Sequence, residues 1–299
     1  MREWQGPFDS MRLLSPWPHD FSRDIIPKPC HSHNDYWRTV PLFDALAAGC
    51  TSVEADIWLP DLQSTSTDLR VGHTSSSLTI DRTLSNLYIE PLAAILSNMA
   101  TPSTQPSGIF ETNSSQTVTL LLDFKSDGAE LWPFVNAHLE PLRKGGWLRY
   151  WNGSSKSIVP GPLTIVGTGN VPFDSIMAND TYRDIFYDAP IYDLDSNTFD
   201  SSNSFFASAA LGRAIGQPSL GHFNAQSMAK LTSQVANAEA RGLLSRYWDT
   251  PAWPIAARDR IWNTLVRHGV GMLNVDDLES ATRWNWDWCV VAGLTLCGW

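Results

Sequence analysis

An ordered alternation of short apolar runs and amphipathic segments predicts an α/β chain closed into a (β/α)8 TIM barrel, with a doubly wound sheet as second choice. Three observations carry this reading. Eight strand candidates alternate with helical patterns, and no internal repeat interrupts them. His31, Glu54, Asp56, His73, Asp123 and Asn274 each close an apolar run, where a barrel gathers its chemistry. The chain has 299 residues, 43% hydrophobic and 17% charged, enough for one large core in a single domain.

The first 27 residues carry Pro7, Pro16, Pro18 and Pro27 among aromatics and read as an irregular lead-in packed on the body. The barrel domain is expected over 28–299, with a tail from 280 onward. Lys28 to His31 reads as the first strand, Val40 to Gly49 as a helix stopped by glycine, and Ser52 to Trp58 as the second strand. Leu69 to His73 is the expected third strand, followed by a helix over Tyr88 to Ala100. Thr117 to Phe124 is almost wholly apolar, the mark of a strand buried on both faces, and Ala129 to Leu142 is helical. Leu163 to Gly167, Asp184 to Ala189, Gly242 to Tyr247 and Val270 to Val275 complete the strands. Gln226 to Ala240 and Ile255 to Arg267 are amphipathic helices. Residues 60 to 69, 101 to 116 and 195 to 225 read as long insertions without interpretable pattern.

A formal charge of -10 argues against nucleic acid as the main partner, because neutralising phosphates needs a basic surface. No window approaches the roughly 20 apolar residues of a membrane span, and the N-terminus lacks a signal-peptide stretch. A soluble monomer is expected, compatible with a secreted or membrane-anchored parent. Most of the 14 tryptophans are assigned to packing, with some left for the rim of a sugar or lipid pocket. Of the four cysteines, Cys289 and Cys297 could close a small loop. Cys30 and Cys50 are expected at opposite ends of neighbouring strands, unbridged.

Glu54 and Asp56 stand two apart on one strand, so their side chains share a face. Carboxylates forced together need a cation or protons between them. With Asp123 they form a three-oxygen donor set suited to a divalent cation, Mg²⁺ or Ca²⁺. His31 and His73 flank the acids as a general acid and base pair. Lys125 projects beside Asp123 and offers its charge to a phosphate oxygen. Asn34 is read as orienting the first histidine or the substrate. Trp248 and Asn274, at the ends of the last two strands, are read as pocket linings. Alternation points His33 away from His31, leaving it a substrate or loop contact. His19, His138, His222 and His268 are expected at the surface.

The order His, Glu-x-Asp, His, Asp-x-Lys on successive strands resembles the superfamily of glycerophosphodiester phosphodiesterases and phosphatidylinositol-specific phospholipase C. It is most similar to the fungal altered inheritance of mitochondria branch. The residues carrying the resemblance are His31-Ser-His33-Asn34-Asp35-Tyr36, Ser52-Val53-Glu54-Ala55-Asp56, Gly72-His73, Thr83-Leu84-x-x-Leu87-Tyr88 and Asn274-x-Asp276-Asp277-Leu278. The glycerophosphodiesterase His-Arg-Gly opening with its following Glu-Asn is absent, and Thr74 follows His73 where many relatives have Asp.

The resemblance implies a TIM barrel, a metal held by Glu54, Asp56 and Asp123, and catalysis by His31 and His73 on a phosphodiester small molecule or lipid head group. The His31-x-x-Asn34 spacing is also similar to the spider-toxin sphingomyelinase D branch, a lyase alternative. A barrel that binds lipid or sugar phosphate without catalysis is the alternative from another class.

Overall fold

The computed structural model describes residues 22–60, 67–99, 107–196, 198–283, 290–291 and 294–295. Eight parallel strands form its centre: β1 (Lys28–Ser32), β2 (Cys50–Trp58), β3 (Val118–Phe124), β4 (Leu163–Gly169), β5 (Ile185–Pro190), β6 (Ser204–Ala210), β7 (Leu244–Trp248) and β8 (Met272–Val275). Each pairs with the next, and β8 returns to β1 with Cys30 opposite Leu273 and His31 opposite Asn274. The ring is closed, so the barrel reading holds over the doubly wound one.

Helices α1 (Phe43–Ala48), α2 (Glu90–Asn98), α3 (Gly128–Lys144) and α4 (Phe173–Ala178) follow β1 to β4. A 3-10 turn, Ile191–Ser196, stands in the β5 to β6 connection, and α5 (Leu211–Ala214) with α6 (Ala225–Ala240) follows β6. Helices α7 (Ile255–Arg267) and α8 (Leu278–Arg283) follow β7 and β8. The expected 88–100 helix is split: a π turn over Ser85–Ile89 leads into α2, which carries proline in its first turn.

Two corrections concern the ring. The expected third barrel strand is a two-residue strand, Arg70–Val71, that runs antiparallel to the end of β2 and lies outside the ring. The missing member is β6, Ser-Phe-Phe-Ala-Ser-Ala-Ala, inside the 195–225 stretch read as an insertion. Short Ala and Ser side chains give little β signal, so only burial between β5 and β7 identifies it.

A third correction concerns the cysteines. Cys30 and Cys50 form a disulfide with their Cα atoms 4.8 Å apart. The β1 to β2 pairing shifts register between Lys28 and His31, which brings Cys30 beside the first residue of β2. Cys289, Cys297, His19 and most of the expected lead-in lie outside the described residues.

Strand alternation explains how the barrel is filled. Leu121, Val166, Phe186, Phe206 and Met272 point inward and pack into one buried cluster. On several strands the inward residue two positions later is polar: Asp123 after Leu121, Asp188 after Phe186, Ser208 after Phe206, Asn274 after Met272. The barrel is thus apolar below and polar at its C-terminal mouth. A larger cluster, including Leu92, Leu131, Leu139, Leu231, Ile261 and Leu265, fills the space between strands and helices.

His222 and His268 are exposed as expected, but His138 is partly buried. Its Nε2 lies 2.7 Å from Asp68 Oδ1, and its Nδ1 lies 2.7 Å from the Phe134 carbonyl. Ser85 Oγ donates to the same Asp68 oxygen at 3.0 Å, so this cluster ties α3 to the start of the α2 segment.

Candidate active site

His31 is the next to last residue of β1, faces inward and is fully buried over Phe206, their ring centres 6.3 Å apart. Its Nδ1 lies 2.7 Å from Ser52 Oγ, and its Nε2, 3.5 Å from Glu54 Oε2, has no hydrogen-bond partner among the described residues. Burial and then the Arg246 charge push its pKa down to about 4, with Glu54 pulling the other way, so the ring is neutral at pH 7.

After Ser32 the chain leaves strand geometry, and Asn34 takes a left-handed conformation with φ 48°. This turn overrides the alternation that points His33 outward. His33 Nδ1 lies 2.8 Å from Asp276 Oδ1, and its Nε2 lies 3.9 Å from Glu54 Oε2. The Asn34 N–H donates to Glu54 Oε2 at 3.0 Å. Burial works against the Glu54 charge, but His31, His33 and Arg246 outweigh it and hold the carboxyl below its usual range.

Glu54, Asp56 and Asp123 converge as the two-residue spacing on β2 and the β2 to β3 register require, Asp56 lying opposite Asp123. One oxygen from each falls within 4.8 Å of the others. Burial and then the Glu54 charge raise Asp56 to about 6, against the pull of Lys125. Lys125 Nζ lies 2.6 Å from Asp123 Oδ2 and 3.1 Å from Asp56 Oδ2. Asp56 Oδ1 is buried without a hydrogen-bond partner among the described residues. Three clustered carboxylates, one ammonium and an unpartnered buried oxygen fit a hard divalent cation. Gly169 makes room for the third acid: a Cβ there would stand 2.1 Å from Asp123 Oδ1, and its φ of +67° suits glycine.

His73 reaches the mouth by a different route from the expected strand end. The Gly72 N–H donates to the Asp56 carbonyl at 3.1 Å, and Trp58 Nε1–H to the Gly72 carbonyl at 2.6 Å, so the hairpin return is tied onto β2. His73 Nδ1 lies 3.4 Å from Asp56 Oδ2 and 3.2 Å from the Tyr36 hydroxyl. Its side chain is 48% exposed and stands beside the exposed Trp37 ring, centres 5.0 Å apart. The two histidines therefore flank the acids, one buried and one at the surface.

Four contributors escape a reading by strand ends. Tyr36 donates its hydroxyl among Asn34 Oδ1 at 2.6 Å and Asp56 Oδ2 at 2.8 Å. Asp35, buried and raised to about 6 by that burial, accepts from the Leu42 N–H at 2.6 Å and from the Tyr88 hydroxyl at 3.0 Å. Tyr88 also donates to the Glu54 carbonyl at 3.2 Å, which explains the Leu87-Tyr88 part of the sequence pattern. Arg246 crosses the lumen from β7: Nη2 donates to Asp188 Oδ2 at 2.9 Å, Nη1 to Asn274 Oδ1 at 2.9 Å and Nε to Ser208 Oγ at 3.0 Å. Asn274 thus holds Arg246 at the mouth. Trp248 stands exposed at the end of β7. A charged residue in the inward phase of a strand, as at Arg246 and Asp188, is the signal that could have found this cluster.

The mouth has two halves, histidines and carboxylates on β1 to β3 and an arginine-anchored polar group on β5 to β8. Fold and mouth together define a closed (β/α)8 barrel whose C-terminal mouth gathers three carboxylates, histidines and a lysine. Residues 19–188 match the AIM6-like phosphodiesterase domain model. The chain is 39% identical over 279 residues to an altered inheritance of mitochondria protein 6 homolog from Arthroderma benhamiae, covering 89% of this chain and 86% of that one. It is 34% identical to the altered inheritance of mitochondria protein 6 of Lachancea thermotolerans, over 87% of this chain and 66% of the relative. For the Eremothecium gossypii protein the values are 38%, 85% and 68%. The chain belongs to the AIM6-like phosphodiesterase domain family. A solved glycerophosphodiester phosphodiesterase from Parabacteroides distasonis aligns with 87% of this chain and 96% of its own at 10% identity, with a TM-score of 0.47.

Proposed function

We propose that this protein is a metal-dependent phosphodiesterase acting on a phospholipid-like or glycerophosphodiester-like substrate. The observation that carries the reading is the convergence of Glu54, Asp56 and Asp123, with His31 beside Glu54 and His73 beside Asp56. Those acids would hold Mg²⁺ or Ca²⁺, which supplies charge to neutralise the phosphoryl oxygens.

The remaining chemistry belongs to the side chains. His31, kept neutral by burial, takes the proton of the attacking hydroxyl at Nε2. His73, beside Asp56 and open to solvent, returns a proton to the leaving alkoxide oxygen. Lys125 adds a positive charge for a phosphoryl oxygen. Attack by a neighbouring hydroxyl of the substrate gives a cyclic phosphate, and attack by water gives the opened monoester.

Phosphorus NMR on a panel of phosphodiesters, with and without EDTA, tests this directly. Turnover that EDTA stops is expected, lowered by at least about a hundredfold in His31→Ala, the range for losing a general acid or base, and by at least about a hundredfold in Glu54→Ala through loss of a cation ligand. Full turnover in either variant, with folding verified by circular dichroism, rejects the assignment.

A further inference from the structure

The Lys125 ammonium touches two of the three acids of the cluster, 2.6 Å from Asp123 Oδ2 and 3.1 Å from Asp56 Oδ2. Its long stem leaves it a quarter exposed, whereas Asp56 is almost fully buried and its Oδ1 has no hydrogen-bond partner among the described residues. One flexible monovalent charge thus stands between two of the three carboxylates, and Asp56 Oδ1 stays unsatisfied among the described residues.

We propose that Lys125 is a built-in competitor for the cation, and that its displacement couples cation binding to phosphate binding. This rests on the metal-holding role assigned above to Glu54, Asp56 and Asp123. An entering cation must take oxygens that the ammonium now holds, and it also repels that ammonium. The displaced ammonium then lacks a counter-ion, and a phosphoryl group bound at the mouth restores one. Each ligand therefore strengthens the other, and linkage makes the effect reciprocal. The same lysine that opposes the cation in the free protein favours it once an anionic phosphate is present.

Calorimetric titration of EDTA-stripped protein with Mg²⁺, with and without inorganic phosphate, tests the coupling. Lys125→Met is expected to bind Mg²⁺ about tenfold tighter than the unmodified protein, and phosphate to tighten Mg²⁺ in the unmodified protein about fivefold or more beyond what it does in Lys125→Met, where only direct contact between phosphate and cation remains. Lys125→Gln serves if the methionine variant does not fold, and the phosphate effect in the unmodified protein needs no variant. Equal or weaker Mg²⁺ binding in the folded variants, or a phosphate effect in the variants as large as in the unmodified protein, overturns the competitor role while leaving the metal-holding reading intact. Absence of Mg²⁺ binding in every protein, with or without phosphate, overturns the metal-holding reading and this inference with it.

Discussion

Tyr36 has one hydroxyl proton and two oxygen acceptors within 2.8 Å, with His73 Nδ1 at 3.2 Å. It therefore ties a carboxylate of the cluster to the exposed histidine and to the turn at Asn34. Tyr36→Phe is expected to keep the fold and lower Mg²⁺ affinity or turnover about 10- to 100-fold, the usual cost of losing a supporting hydrogen bond behind a ligand. Calorimetry and initial rates measure the two effects separately. At this scale His31, Glu54, Asp56, Asp123 and Lys125 are legible because an ionisable residue closing an apolar run is conspicuous. Tyr36, Tyr88 and Asp35 are not, since their roles come from a turn and from contacts across many residues of sequence. Gly169 is invisible until Asp123 is seen against it.

At the scale of elements, apolar periodicity located seven ring strands within a few residues and helix α7 to the residue. It failed where side chains are small, as in β6, and where an apolar run turns back instead of crossing, as at Arg70–Val71. The correction matters for chemistry, because it hangs His73 on the end of β2 rather than on a strand of its own. The Cys30–Cys50 bond staples β1 to β2 directly beneath His31 and Ser52, closing a loop between positions 20 apart. Replacing both cysteines with serine is expected to lower stability by about 3 kcal/mol, from the entropy restored to the unfolded chain. Urea midpoints of the variant, and of unmodified protein with and without reductant, measure this; unchanged midpoints would remove the bond from the list of stabilising features.

At the scale of the whole molecule, the pH dependence of stability has an identifiable contributor away from the mouth. Burial alone would lower His138, but its bond to Asp68 outweighs burial and raises it. Burial alone would raise Asp68, but His138, Thr83 and Ser85 outweigh burial and lower it. The raised histidine gives stability that is complete below its unfolded pKa of about 6.5 and is lost as pH climbs through the folded value. The lowered aspartate gives stability that is present above about 3.9 and is lost as pH falls through its folded value. The pair is therefore strongest between about pH 4 and 6.5. His138→Gln is expected to cost about 1 kcal/mol near pH 5.5 and less at pH 8.5, because the pair is partly solvated. Melting temperatures of both proteins across that range provide the check, and a cost independent of pH would contradict it.

The bond between Cys30 and Cys50 also changes what a cut in the chain does. A single protease nick in the turn of residues 33–42 separates His31 from Glu54 and Asp56 along the backbone, yet the fragments stay joined through sulfur. Such nicked protein should migrate as one species until reduced and as two afterwards. The intervening polypeptide can thus be severed while the histidine and its carboxylates remain one covalent body.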